Sequence, residues 1–257
     1  MTAGKNFLKS MIINTPNNLP EKQLKAFTDI AEKLLSNPEI DTLFFSGSFY
    51  HGEPGSNSDL DFIAITKPEF EYSQRIQDVS NGIFYELFVY SENQLKKSFE
   101  RMDYQDMHMV GYGFLVFSKS QNFEGIKNLA KSLFEKGPAK ISDEQLEYEK
   151  YLLWDKYIDI LDIRIKNPNL AKLLTNILLW DALRLLYIDK CIWFPKRKKL
   201  FESLAKIDED TYMLVCQFLN LDNNNDVEYL LEKISKIVEN IIYPNKLSDP
   251  FIWQSEK

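Results

Sequence analysis

The sequence predicts an α+β protein in two domains, a small mixed sheet flanked by helices over residues 1–138 and an all-α helical bundle over residues 139–257. Three observations carry that expectation. Before Gly137-Pro138, short β-rich runs alternate with amphipathic stretches; after it, every segment has helical periodicity. The chain has 257 residues, which at about 100–200 residues per domain suits one large or two modest domains. Hydrophobic residues make up 44%, enough to fill a core in each part.

The elements follow in order. Leu19–Ser36 reads as a helix, with Pro20 near its start, Asn37-Pro38 after it, and Leu24, Phe27, Ile30, Ala31 and Leu34 as an apolar stripe. Thr42–Phe45, Leu60–Thr66, Gly82–Tyr90 and Gly113–Ser118 read as strands. Ser91 and Gln94 form a capping box for a helix reaching Met102, and Asn122–Glu135 is helical again. In the second part Ser142 and Gln145 cap a helix to about Lys166, which Asn167-Pro168 ends. Helices follow over Leu170–Cys191, from Pro195 to Ala205, from Asp208 or Asp210 to Asn220, and over Asp226–Ile242, with Asp222–Asn225 as a polar turn. Four or five helices joined by short loops imply a bundle.

Composition narrows the function. A net charge of −7 argues against a nucleic-acid surface, which needs a basic patch, and is compatible with a cationic ligand or a metal-chelated nucleotide. Cys191 and Cys216 sit in apolar helical stretches and read as buried free thiols. The first 18 residues lack a sustained apolar core and a cleavage site, and no apolar run is long enough to cross a bilayer. The expected setting is cytoplasmic, with no membrane partner.

The candidate chemistry lies in the run SGSFYHGEPGSNSDLDFIAIT, Ser46–Thr66. Acids are disfavoured in strands, and two on one face repel. Asp59 and Asp61 are two apart, so in a strand they project together while Leu60 and Phe62 turn toward a core. A hard cation between them would resolve the conflict. In GIFYELFVY, Glu86 is the one charged residue, sharing a face with Phe84, Phe88 and Tyr90. If that strand lies beside the first, three carboxylates converge, and Glu86 serves as third metal ligand or as general base. Gly47 allows close backbone approach to an oxyanion, and Ser48 offers a hydroxyl and an N–H at the start of a short turn or helix.

Gly47-Ser48, ten intervening residues, then Asp59-Leu60-Asp61-Phe62 resembles the signature of the polymerase-β-type nucleotidyltransferases. With a helical domain behind it, the layout is similar to antibiotic nucleotidyltransferases of the aminoglycoside type. The segment Tyr187–Leu204, YIDKCIWFPKRKKLFESL, looks like the aromatic-Pro-basic junction their helical domains carry. The resemblance implies one or two Mg²⁺ ions on Asp59, Asp61 and Glu86, with ATP or another nucleoside triphosphate held by Ser46, Gly47, Ser48 and Ser58. It further implies transfer of a nucleoside monophosphate, AMP being expected, to a hydroxyl of a small acceptor, with loss of pyrophosphate. Some members draw the base from the helical domain instead.

Plainer readings stand beside these. Asp59 and Asp61 suit a solvated turn, and Glu86 suits an edge strand guarded by a charge. Lys196–Lys199 suits an exposed helix start; alternatively Lys196 or Lys199 reaches the triphosphate. His51 faces the phosphates or packs, and His108 is structural; two histidines and two cysteines far apart in sequence offer no zinc motif. Tyr151, Asp155, Trp180, Asp181 and Arg184 are candidates for an acceptor wall. The competing functions are a protein-modifying adenylyltransferase of toxin–antitoxin or regulatory type, and a non-catalytic nucleotide-binding interaction protein. The helical domain serves acceptor binding or dimerisation, in a monomer or a homodimer.

Overall fold

A five-stranded mixed sheet organises the first part of the chain. The computed structural model describes residues 12–219 and 226–253, and the chain divides between Lys136 and Gly137 into two compact units. The expected turn at Asp222–Asn225 lies outside the described residues.

In the first unit, helix α1 (Glu21–Ser36) precedes β1 (Ile40–Ser46), the single turn α2 (Gly47–Tyr50), β2 (Leu60–Thr66), β3 (Ser73–Ser80) and β4 (Ile83–Tyr90). Then come α3 (Glu92–Glu100), α4 (Tyr104–Gly111), β5 (Phe114–Ser118) and α5 (Glu124–Lys136). The sheet order is β3-β4-β2-β1-β5. β2 runs parallel to β4, and the other neighbouring pairs are antiparallel.

One face of the sheet packs on α1, and the other is also largely buried, with Phe44, Ile63 and Phe88 on it. Leu43 and Phe45, Leu60 and Phe62, and Tyr85 and Leu87 pack with Phe27, Ile30 and Ala31 of α1. The Phe27 ring meets Phe45 edge-on at 5.1 Å, and Phe45 lies 5.2 Å from Phe62. Each such buried side chain contributes about 1.5–3 kcal/mol. Leu24 stands at the exposed margin of α1 and Ala26 is buried in its place.

Two elements escape the sequence reading. β3 is an exposed edge strand, polar on both sides, so it lacks the apolar alternation that marks a strand. Its signal is the turn: Asn81 and Gly82 both have positive φ, 51° and 70°, the two-residue hairpin turn that Asn-Gly favours. α4 is short, and its mark is Asp103, whose carboxylate accepts from the N–H groups of Gln105 and Asp106.

The second unit is all helix among its described residues: α6 (Asp143–Ile163), α7 (Pro168–Asp189), a 3₁₀ turn (Arg197–Lys199), α8 (Leu200–Ile207), α9 (Glu209–Phe218) and α10 (Val227–Ile242). Its core joins Leu153 and Ile160 to Leu178 and Leu186, and to Val215, Ile234 and Val238. Ser142, Asn167, Asp208 and Asp226 each accept a backbone N–H as helix caps. Pro168 opens α7 at its first position rather than only ending α6, because its missing N–H is not needed there. Pro195 lies outside the helix expected to start at it; the basic run first makes a 3₁₀ turn. Both cysteines are free and half-buried, not fully buried.

Asp106 is a buried acid of the first unit. Ser98 and Tyr90 donate to it. Burial pushes its carboxyl above the usual carboxylate range, and burial with Asp106 nearby pushes the Tyr90 phenol up. A carboxyl whose pKa is raised on folding holds its proton more tightly in the folded chain. Its contribution is therefore most favourable below the unfolded value, about 4, and is lost as pH rises through the folded one. Denaturant unfolding at pH 4 and pH 7 checks this. Wild-type stability relative to Asp106→Asn should fall between the two; a flat or rising difference contradicts the assignment.

Candidate functional site

The site begins with strand register. Asp61 on β2 is the direct partner of Glu86 on β4 and, across the other edge, of Ser46 on β1. Direct partners share a face, so these three side chains lie on the side of the sheet opposite α1. Leu60 and Phe62, fully buried, enter the core and leave Asp61 half-buried between them. Asp59 precedes the strand by one residue.

Asp59, Asp61 and Glu86 bring one oxygen each within 4.8 Å of one another. Like charges about 4 Å apart near a protein surface repel by roughly 4 kcal/mol. Two oxygens on one hard cation lie at most twice the bond length apart, about 4.2 Å for Mg²⁺ and about 5.2 Å for Ca²⁺. Three carboxylates within 4.8 Å fit a hard cation in donor chemistry; the spacing lies inside the reach of Ca²⁺, and a small side-chain rotation brings it inside that of Mg²⁺. Glu86 is not on an edge strand, since β4 is flanked by β3 and β2; its carboxylate is buried.

The turn after β1 is built around the acids. Gly47 has φ +78°, and a Cβ there would stand 1.8 Å from Asp61 Oδ2. Only glycine fits, on both counts. Ser48 Oγ donates to Ser58 Oγ at 2.9 Å, and Ser58 Oγ accepts from Gly55 N–H at 2.8 Å, so the turn is tied to the approach to β2. Ser46 Oγ is buried without a hydrogen-bond partner. A buried hydroxyl left unpaired costs about 1–3 kcal/mol, an expense that a ligand oxygen on this face would relieve.

Two residues of the site are missing from the sequence reading. Arg75 Nε and Gln77 Nε2, both on β3, donate to Glu86, and both bonds fall on Oε1. The Arg75 guanidinium lies 5.0 Å above the Phe88 ring. Its pKa is held above the usual arginine range, chiefly by the bond to Glu86, with the charge of Asp59 adding. Glu86 thus already has a cationic partner, which its isolation on its own strand did not suggest. The usable signal was the Asn81-Gly82 turn, which folds the residues before it onto the strand after it.

His51 and His108, far apart in sequence, are neighbours in space, with ring centroids 5.0 Å apart beside Tyr50 and Tyr112. Among the described residues the acidic triad is the cluster with metal-ligand geometry. Lys196 and Lys199 belong to the helical unit. Lys199 Nζ pairs with Glu202 at 3.0 Å, and Lys196 is the exposed residue before the 3₁₀ turn. The candidate acceptor wall is split. Asp181 and Arg184 line one cavity of about 210 Å³, where Asp181 is paired with Lys156 at 2.8 Å. Trp180 lines another, and Tyr151 stacks with Trp154. No helix among the described residues is long and apolar enough to cross a membrane.

No family model matches the chain, and no curated protein matches it. Among solved structures it is similar to a nucleotidyltransferase-like protein from Exiguobacterium sibiricum, at 16% identity over 86% of this chain and 75% of that one, with a TM-score of 0.49.

The contact between Gly47 and Asp61 can be tested by itself. Gly47→Ala should destabilise the chain by about 1–3 kcal/mol. Part of that loss should return in an Asp61→Ala background, where the clashing oxygens are gone. Chemical denaturation of the four proteins measures the coupling; strict additivity would contradict the contact.

Proposed function

We propose that the chain is a Mg²⁺-dependent nucleotidyltransferase. It moves a nucleoside monophosphate, AMP in the simplest case, from a nucleoside triphosphate to a hydroxyl of a small acceptor and releases pyrophosphate. The observation that carries this reading is the convergence of Asp59, Asp61 and Glu86 beside the Gly47-Ser48 turn. Paired carboxylates with a third acid on the adjoining strand suit phosphoryl chemistry, in which the protein mainly positions groups and balances charge.

Each residue then has a task. Asp59 and Asp61 hold the metal, whose charge when bound stabilises the oxygens around the reacting phosphorus. Gly47 lets the turn close on Asp61 and brings its backbone to the triphosphate, and Ser46, Ser48 and Ser58 supply hydroxyls to its oxygens. The acceptor oxygen attacks the α-phosphorus in line; that P–O bond forms as the bond to pyrophosphate breaks. Glu86 takes the proton of the attacking hydroxyl or completes the metal shell. Arg75, already seated on Glu86 Oε1, keeps that carboxylate oriented. The net charge of −7 favours a cationic acceptor such as an aminoglycoside.

Pyrophosphate release, screened with each nucleoside triphosphate over aminoglycosides, lincosamides and other hydroxylated acceptors, tests the proposal. Asp59→Asn and Asp61→Asn should each lower turnover by about a hundredfold or more. Their melting temperatures should hold, because removing one of several like charges relieves repulsion. Turnover near the wild-type rate in either variant would refute the assignment.

A further inference from the structure

The helical unit contains a second feature that nucleotide transfer leaves unused. A cavity of about 300 Å³ opens between α7, the 3₁₀ turn, α8 and α9. Its deep residues are apolar and well packed: Leu183 and Val215 are buried, with Leu179 and Leu200 beside them. Trp180 and Phe201 supply aromatic surface, and Trp180 is braced edge-on by Phe194 at 5.1 Å. The volume is at the lower end of small-molecule sites, about 300–1,000 Å³.

Beside the neutral Asn176, the charged part of the lining is of one sign. Arg197 and Lys198 stand exposed on it, and it contains no carboxylate. Their neighbour Lys199 is paired with Glu202. Among the described residues neither Arg197 nor Lys198 pairs with an acid; the Arg197 guanidinium instead lies 5.9 Å from the Trp180 ring. Both cations precede the first turn of α8, where the helix dipole disfavours positive charge, so the helix does not account for them. An apolar body below and unpaired cations above are complementary to an amphipathic anion. A guanidinium over an indole still directs its N–H groups outward, toward a carboxylate or phosphate.

We infer that this cavity is a binding site for a small anion with an aromatic or alkyl body, the body resting among Leu179, Trp180, Leu183 and Val215 and the anionic head on Arg197 and Lys198. The site lies wholly within the helical unit and is independent of the carboxylate cluster's chemistry. The shared feature of its ligands is an anionic head on an apolar frame, whether carboxylate or phosphate.

The test uses the full chain and 8-anilinonaphthalene-1-sulfonate, an aromatic sulfonate whose fluorescence rises on transfer from water. N-phenyl-1-naphthylamine, a similar frame without the charge, is the control. Sulfonate binding should saturate, and Arg197→Glu with Lys198→Glu should weaken it about tenfold or more. Binding of the neutral amine should be almost unchanged by the same variant. Both positions are exposed, and circular dichroism with thermal unfolding checks that the variant is folded. Displacement of the dye by 1-naphthoate, or by 1-naphthyl phosphate, identifies the preferred head; displacement by either supports the site. Binding that fails to saturate, equal sulfonate affinity in wild type and variant, or displacement by neither anion overturns the inference.

Discussion

The parallel register of β2 on β4 is the constraint on which the site depends. It sets Asp61 against Glu86, with Asp59 just before the strand, and it concentrates negative charge on one side of a small sheet. The same register puts Leu60, Phe62 and Leu87 into the core under α1. A slip by one residue would exchange the two faces and carry the acids under α1. Burial of several large side chains at about 1.5–3 kcal/mol each outweighs a repulsion of roughly 4 kcal/mol. The core therefore enforces a charge arrangement that the strand alone would not choose, and the strain is available to a cation.

The edge of the sheet tempers that charge. β3 contributes little to the core, yet it delivers Arg75 and Gln77 to one oxygen of Glu86. A buried carboxylate beside two others needs such a partner. An ion on the triad and a guanidinium on Glu86 are compatible if they use different oxygens. At the other end, Gly47 removes the one Cβ that would collide with Asp61, so the turn closes directly on the carboxylate.

Much of this was legible in the chain. The strands that carry the acids are short, nearly continuous apolar runs, so an isolated acid stands out in each. The spacing from Gly47-Ser48 to Asp59 and Asp61 singled out residues that the fold brings together with Glu86. Capping residues Ser91, Ser142 and Asp208 act as caps. What stayed hidden has a common cause. Arg75 and Gln77 lie on a strand without apolar alternation, His51 meets His108 only through tertiary packing, and the parallel pairing of β2 with β4 is a long-range fact. Residue type and spacing identify local elements; they do not rank the partners those elements meet. The cavity under Arg197 and Lys198 shows the same limit, since the basic run was visible while most of the apolar residues facing it come from α7 and α9.

The central claim is that the three carboxylates are a cation site serving a triphosphate. The most direct measurement is a crystal structure of the full chain grown with Mn²⁺ and a non-hydrolysable nucleoside triphosphate, with anomalous scattering used to locate the metal. The account predicts a manganese peak in contact with Asp59 and Asp61 and the triphosphate against the Gly47-Ser48 turn. Manganese bound elsewhere, or a triad without metal while nucleotide is bound at another place, would contradict it.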